Sequence, residues 1–158
     1  MTDLQDRVRD VLDANRYLVL GTVQADGSPR VSPVYFTADG AHTFFWVSSP
    51  LAQHSRNITR DSRVELVVFD SSRPPGETAA VYVTGTAEEV AADELEAACA
   101  TAFAHVGEGA RAFTAEELSG DADLRLYRAN ASEIALHVRG SDPSYGTGID
   151  TRRVVPPG

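Results

Sequence analysis

Two hydroxyl side chains, Ser48 and Ser49, stand where a predicted strand passes into a predicted short helix. Serine followed by proline is typical of a helix start, because neither residue loses a backbone hydrogen bond there. The free amides of a helix N-terminus, together with nearby hydroxyls, bind anions such as phosphate. His54 and Arg56 follow within the same predicted helix. The pattern predicts an anion site at this corner, with a plain N-cap and solvent-facing helix residues as the alternative.

The remaining residues show no arrangement typical of catalysis by side chains alone. Cys99 is the only cysteine, and with the four histidines it gives no Ser-His-Asp, Cys-His or metal-ligand spacing. We therefore expect no metal site, and any chemistry would come from a bound cofactor. A single cysteine also excludes an internal disulfide, which is typical of the reducing cytoplasm.

The charge of the chain limits its partners. A net charge of −9 disfavours nucleic acid and anionic membrane surfaces, and no run approaches the roughly 18 apolar residues of a membrane helix. The first residues lack the basic and apolar regions of a signal peptide. All 14 Lys and Arg positions are arginines, so a bound phosphate must be held by arginine, histidine, hydroxyls or backbone amides.

Runs of β-branched and aromatic residues, separated by turn residues, predict an antiparallel β protein. Helices are predicted after Thr2, which can cap the first one, after Pro50, and at 93–103. Seven short strands with few helices indicate a closed or partly closed barrel, because a flat sheet would leave its edges exposed. The predicted strands are 17–23, 30–36, 43–48, 64–69, 79–90, 124–129 and 133–139.

Three local signals refine this outline. Asp-Gly pairs ending at Gly27 and Gly40 predict hairpin turns. Gly85, in the middle of a strand pattern, predicts a bulge or a close approach of two backbones. Thr114 and Glu117 have the spacing of a capping box, which predicts a short helix at 113–118.

Three segments resemble one known family. Residues 20–36 (LGTVQADGSPRVSPVYF) resemble the opening hairpin of the pyridoxamine 5′-phosphate oxidase-like, FMN-binding split-barrel family. Residues 55–64 (SRNITRDSRV) are similar to its R-N-L-x-x-D-P-R-V signature, and residues 83–88 (VTGTAE) match its V-x-G-x-A strand. The resemblance implies a split β-barrel domain at 1–140, an obligate homodimer, and two FMN sites at the dimer interface.

The resemblance also implies where FMN would bind. The ring would lie along Ser32, Pro33 and Val34 and face a strand with Trp46 and Val47, although a strand tryptophan is also a common core residue. Gln53 and His54 stand where the family has a basic pair, so Arg30 and Arg56 are expected to compensate. The cofactor-binding residues implied are Arg30, Ser32, Pro33, Val34, Trp46, Val47, Ser48, Gln53, His54 and Arg56.

The C-terminal tail, 141–158, is short and lacks the Trp/Arg/His-rich segment that grips substrate in pyridoxamine 5′-phosphate oxidases proper. That activity is therefore not expected here. Glycines, an aspartate and paired arginines suggest that the tail crosses to the partner subunit and closes its site. A disordered terminus is the alternative. The expected lid residues are Tyr145, Asp150, Arg152 and Arg153.

The family's chemistry implies an FMN-dependent oxidoreductase that transfers a hydride through flavin N5 to or from a small organic substrate. A nicotinamide dinucleotide is a possible electron donor. A non-catalytic FMN carrier and a deazaflavin-dependent reductase of the same fold are alternatives, and a heme-binding relative is a weaker one. The acidic, lysine-free composition disfavours the polyanionic deazaflavin cofactor.

Overall fold

The computed structural model describes residues 3–157, and within them the chain is mainly antiparallel sheet with three α-helices. The strands are those predicted from β-branched and aromatic runs, with two short additions. The elements are α1 (Asp3–Ala14), β1 (Tyr17–Val23), β2 (Pro29–Tyr35), β3 (Thr37–Asp39), β4 (Thr43–Ser48), α2 (Gln53–Arg60), β5 (Arg63–Phe69), β6 (Ala80–Glu89), α3 (Leu95–Ala102), a 3₁₀ turn (Glu116–Leu118), β7 (Arg125–Val138) and β8 (Thr151–Val154).

All strand pairs are antiparallel, in the order β2-β1-β5-β6-β7-β4-β3. The long strand β7 pairs with β6 along one edge. Along its other edge the first half pairs with β4 and the second half with β8. The sheet curls into a split barrel, which confirms the predicted fold class. No helix within residues 3–157 is long and apolar enough to span a membrane.

The core follows the alternation of the strands. Leu18 and Leu20 of β1 point into the barrel, where Val8 of α1 closes one end. A second apolar cluster lies outside the barrel, where α3 packs on β4 and β7 through Phe45 and Leu126. Two apolar layers on opposite faces therefore fix the orientation of β4, whose end carries Ser48.

Gly85 allows β6 and β7 to approach more closely than any other residue would. A Cβ at this position would lie 2.2 Å from the carbonyl oxygen of Asn130. The register of the β6–β7 pair shifts between Thr84 and Gly85, which confirms the predicted bulge. The capping box is also confirmed, since the Glu117 amide donates to Thr114 Oγ1 at 3.3 Å and the Thr114 amide donates to Glu117 Oε2 at 2.9 Å.

The predicted start of the second helix is wrong. The helix begins at Gln53, after Ala52, and no side chain caps it. Ser49 instead closes a turn, because its hydroxyl accepts from the Leu51 amide at 3.1 Å and its carbonyl accepts from the Ala52 amide at 3.1 Å. The Ser-Pro pair thus forms a turn that sets α2 four residues beyond β4.

The predicted strands 124–129 and 133–139 are one continuous strand, β7. Residues 130–133 contain neither glycine nor proline, and the shift opposite Gly85 absorbs the irregularity without ending the strand. The short strands β3 and β8 were not predicted, because three or four residues show no clear periodicity. Thr2, expected to cap the first helix, lies outside the described residues.

Candidate functional site

Ser48 and His54 meet at one corner of the barrel. His54 is the second residue of α2, and its Nε2 is 2.7 Å from Ser48 Oγ at the end of β4. Both side chains are partly buried. The turn after Ser49 makes this contact possible by folding α2 back over the strand end.

Arg30 lies on the same side of the sheet as this pair. It pairs across β1 and β2 with Thr22, which is buried beneath α2, and directly paired residues share a face. Its positive charge acts on His54. Three residues predicted for phosphate binding, Arg30, Ser48 and His54, therefore converge.

His54 is an uncharged imidazole in this setting. Burial lowers its pKa below the ordinary value, and the neighbouring Arg30 lowers it further. At pH 7 the positive charge of the corner therefore comes from Arg30.

Gln53 forms a hydrogen bond within α2, and its expected contact with the cofactor stays a prediction. Its Nε2 donates to Asn57 Oδ1 at 2.9 Å, and Asn57 Nδ2 donates in turn to Thr22 Oγ1 at 3.0 Å. Asn57 is 1% exposed, so this chain of hydrogen bonds joins α2 to β1 inside the fold. Gln53 and Asn57 position the helix that carries His54, a connection that residues 35 apart did not reveal in the sequence.

Arg56 points to solvent, and within residues 3–157 its guanidinium has no hydrogen bond or ion pair. Arg56 forms no ion pair with Asp61, the next carboxylate along the chain. Asp61 instead accepts from Arg63 at 3.0 and 2.6 Å, and this pairing lowers the pKa of the carboxyl to about 2. Arg56 is thus free to approach an anion at the corner, although it does not contact Ser48.

Strand β2 lies at an edge of the sheet and pairs with β1 alone. Ser32 is partly exposed and Pro33 is exposed, whereas Val34 is 7% exposed and belongs to the core. The second backbone edge of β2 has no strand partner within the described residues, so its peptide groups are available to a planar polar ring.

Trp46 and Val47 face opposite sides of β4. Trp46 is 2% exposed inside the barrel and stacks on Tyr127, with ring centroids 6.0 Å apart. Val47 faces the opposite way, toward the cluster beneath α3. Trp46 is a core residue in this protomer, which is the alternative that the sequence left open.

The tail is ordered on its own chain. Residues 151–154 form β8 against β7, and Asp150 accepts from the Gly140 amide at 2.9 Å and lies 3.2 Å from His137 Nε2. Arg153 lies over the ring of Tyr145, 4.7 Å from its centroid. Ser48 pairs with Arg125 at the start of β7, whereas β8 pairs with residues 135–138 at the other end of that strand, so within one protomer these residues lie apart from Ser48. A lid over the partner's site stays a prediction.

One face of the sheet exposes apolar side chains to solvent. Tyr17 of β1 is 62% exposed, Val31 of β2 is 69% exposed, and Phe69 of β5 is 42% exposed. Their alternation with the buried residues of the same strands places them on the outside of the barrel. This outer face is continuous with the open edge of β2.

A cavity of about 970 Å³ lies elsewhere, between α1, the β3–β4 hairpin, the end of α3 and the last residues. Its floor is apolar and includes Val8 and Phe36. Its rim carries charges of both signs, including Arg16, Asp13 and Glu133. A mixed rim gives no preference for phosphate, so we place the anion site at the smaller corner.

Comparison with known structures supports the fold. A heme binding protein from Mycobacterium smegmatis superposes with a TM-score of 0.70 and 20% identity over 98% of this chain, which spans 59% of that protein. A pyridoxinephosphate oxidase family protein from Clostridium acetobutylicum, related to general stress protein 26, gives a TM-score of 0.65 and 13% identity over 96% of this chain and 94% of its own. An F420 reductase gives a TM-score of 0.55 and 22% identity over 80% and 94%.

At these identities the likeness shows the fold alone. No curated protein matches the chain. The sequence profile of the pyridoxamine 5′-phosphate oxidase family matches residues 4–138, which includes every element from β1 to β7 and the corner described above. The chain therefore belongs to the pyridoxamine 5′-phosphate oxidase family.

Proposed function

We propose that the protein is an FMN-dependent oxidoreductase whose cofactor phosphate binds between Arg30, Ser48 and His54. The observation that carries this proposal is the convergence of the three side chains, with Ser48 and His54 only 2.7 Å apart, beside an open strand edge. The residues fit a phosphate-bearing cofactor, because they offer one fixed positive charge, one hydroxyl and one imidazole.

Each residue of the proposed site has a defined part in binding the cofactor. Arg30 gives charge-assisted hydrogen bonds to phosphate oxygens, and the Ser48 hydroxyl donates another. The backbone of Ser32 and Pro33 lies along the free edge of β2, where peptide groups can orient the polar edge of a flavin. Bound FMN would supply hydride transfer at N5, and the protein would orient it toward a small organic substrate.

The outer face of the sheet supports a homodimer. Its exposed apolar residues Tyr17, Val31 and Phe69 adjoin the same edge of β2 that borders the proposed site. Exposed apolar patches of this kind mark protein interfaces. We propose that a second copy of the chain covers this face and completes each cofactor site, with the tail residues Tyr145, Asp150, Arg152 and Arg153 approaching the partner's site.

Two other uses of the fold remain as candidates. A non-catalytic FMN carrier would bind the cofactor in the same way and would differ only in turnover. The structural likeness to an F420 reductase favours a deazaflavin as the second cofactor candidate, although a net charge of −9 without lysine gives little attraction for a polyanionic tail. Structural likeness also makes heme a candidate ligand, because the M. smegmatis neighbour is a heme binding protein.

The buried thiol supports a cytoplasmic location. Cys99 is 6% exposed, and burial raises its pKa. A single, unreactive thiol suits a reducing compartment.

The test is a titration of the purified protein with FMN, deazaflavin and hemin, followed by flavin fluorescence or heme absorbance. We expect FMN to bind and its affinity to fall when Ser48→Ala and His54→Ala are combined. Arg73→Gln, an exposed arginine on the loop after β5, is the matched control and should bind as the wild type does. Reduction of the bound flavin by a nicotinamide dinucleotide, with turnover of an acceptor, separates an enzyme from a carrier.

If the protein bound deazaflavin and not FMN, deazaflavin would take the place of FMN as the proposed cofactor. Binding of hemin alone, or of none of the three, would refute a flavoprotein.

A further inference from the structure

His54 is the one side chain at the proposed phosphate corner that can change its charge near neutral pH. Ser48 is a hydroxyl, and Arg30 stays positive at all pH values of interest. His54 is partly buried, and its Nε2 lies 2.7 Å from Ser48 Oγ. An imidazole in this place can be either an uncharged partner of the serine or a second cation for an anion.

Within residues 3–157, no carboxylate is bonded to His54 or shifts its pKa. Strand β4 presents Ser48, β2 presents Arg30, and β1 presents Thr22, which is bonded to Asn57. Strand β7 presents Arg125 opposite Ser48, but its guanidinium donates to the carbonyls of residues 120, 122 and 124 and lies 4.0 Å from Glu89. The barrel-side residues of β6 that lie beneath α2 are Val83, Gly85 and Ala87, and none of them carries a charge. Helix α2 itself contributes Gln53 and Arg56. With burial and Arg30 both opposing a positive charge, the pKa of the His54 imidazole lies below its ordinary value.

A phosphate dianion at this corner would reverse that balance. Two negative charges beside a partly buried imidazole favour its protonated form, and Arg30 would then be neutralised rather than repulsive. The Ser48 hydroxyl can accept from an imidazolium Nε2–H and donate its own hydrogen to a phosphate oxygen.

We propose that phosphate binding is coupled to the uptake of one proton by His54, which then joins Arg30 as the second cation of the site. This inference rests on the proposed function and adds to it a dependence on pH. The complex binds more protons than the free protein and free FMN together. FMN affinity therefore rises as pH falls from the pKa of His54 in the complex to the pKa of His54 in the free protein. Below about pH 6 the phosphate takes up a proton itself, and the gain ends.

Calorimetry measures this coupling directly. FMN is titrated into the protein at one pH near 7.5 in buffers of different ionisation enthalpy, and the dependence of the observed heat on the buffer gives the number of protons taken up. We expect about one proton for the wild type and an affinity that rises about tenfold to thirtyfold between pH 8 and pH 6.5. The NMR signal of the His54 ring should move to the imidazolium position when FMN binds. Riboflavin, which lacks the phosphate, should cause neither effect.

Two variants separate charge from packing. His54→Gln should bind FMN more weakly, with almost no proton uptake and a flat pH profile. His54→Arg carries a fixed charge, so it should bind at least as tightly as the wild type at pH 8, again without proton uptake.

Equal proton uptake in the wild type and in His54→Gln would overturn the inference, as would a His54 signal that stays uncharged in the complex. Both results would leave FMN binding, and so the proposed function, intact. A wild type that binds no FMN at any pH would overturn both.

Discussion

The guanidinium of Arg152 lies over the ring of Tyr82, 3.7 Å from its centroid, and also reaches Glu65 at 3.2 Å. This stack joins β8 to β6 and β5 on the outer face of the sheet. The side chain of Arg152 in the tail therefore lies on the same face that exposes Val31 and Phe69. In the proposed dimer, tail and interface would be parts of one surface.

A charge on that surface should break the dimer. Val31→Asp places a carboxylate on a side chain that is 69% exposed in the protomer and would be buried between two copies, where an unpaired charge is strongly unfavourable. We expect a dimer for the wild type and a folded monomer for the variant, measured by light scattering after size exclusion. Ala112→Asp, on the exposed loop after α3, should remain dimeric. A monomeric wild type would contradict the proposed interface.

Arg30 should supply most of the fixed charge of the phosphate corner. Arg30→Gln removes charge-assisted hydrogen bonds worth about 1.5–3 kcal/mol, so we expect FMN affinity to fall about tenfold to hundredfold. Riboflavin affinity should change much less, because riboflavin has no phosphate. Fluorescence quenching measures both. Equal losses for the two ligands would place Arg30 near the ring or in a structural role instead.

The tail should loosen in acid. Hydrogen bonds from the Gly140 amide to Asp150 and from the Ser144 amide to Asp142 lower the pKa of both carboxyls. Their contribution to stability is present above the unfolded-state pKa of about 4 and is lost as pH falls through the lower folded-state values. Hydrogen exchange of residues 151–154, corrected for its intrinsic rate, should accelerate below about pH 4.

In the double variant Asp142→Asn, Asp150→Asn, the amides of residues 151–154 should exchange rapidly at all pH values. If the double variant kept the protection of the wild type at pH 7, the two carboxylates would not hold the tail.

The close approach at Gly85 should make that position intolerant. Gly85→Ala forces a Cβ to within 2.2 Å of a backbone oxygen, and we expect a loss of about 3 kcal/mol or more in unfolding free energy. For a domain of this size such a loss lowers Tm by about 6–12 °C. Gly107→Ala is the matched control, because its Cβ would meet only the Tyr35 hydroxyl at 3.6 Å. Denaturant titrations that gave both variants the same stability would contradict the bulge.

Trp46 should matter for stability and not for the cofactor. Trp46→Phe leaves a cavity against Tyr127, and we expect a loss of about 1–2 kcal/mol in unfolding free energy. Far-UV circular dichroism in guanidinium measures this loss. Tryptophan fluorescence cannot, because Trp46 is the only tryptophan of the chain. FMN affinity should stay within about twofold of the wild type. A large loss of affinity would return Trp46 to the flavin site.

Much of the fold could be predicted because local chemistry and tertiary structure agree along most of the chain. The aromatic and β-branched runs form the expected strands, Gly85 marks the bulge, and Thr114 with Glu117 caps a turn. The fold also brings together Arg30, Ser48 and His54, which the sequence singled out for anion binding, and phosphate binding by these residues stays a prediction.

Other features depend on contacts that no local pattern contains. Alternation along β4 shows that Trp46 and Val47 face opposite sides, but only packing decides that one enters the barrel and the other meets the α3 cluster. The Ser49 turn competes with a helix cap made from the same residues. The bond between Asn57 and Thr22 spans 35 positions, and β8 is a strand only because β7 offers it an edge.

The pairing of β4 with β7 has a consequence for how the molecule assembles. It joins residues 43–48 to residues 125–130, a sequence separation far larger than that of the β1–β2 hairpin, and such nonlocal contacts slow folding because a long loop must close before they form. Ser48 reaches its place through this late closure. A nascent chain would therefore lack the proposed cofactor site until most of its length had been synthesised, and a cofactor bound at that site would stabilise completed barrels rather than folding intermediates.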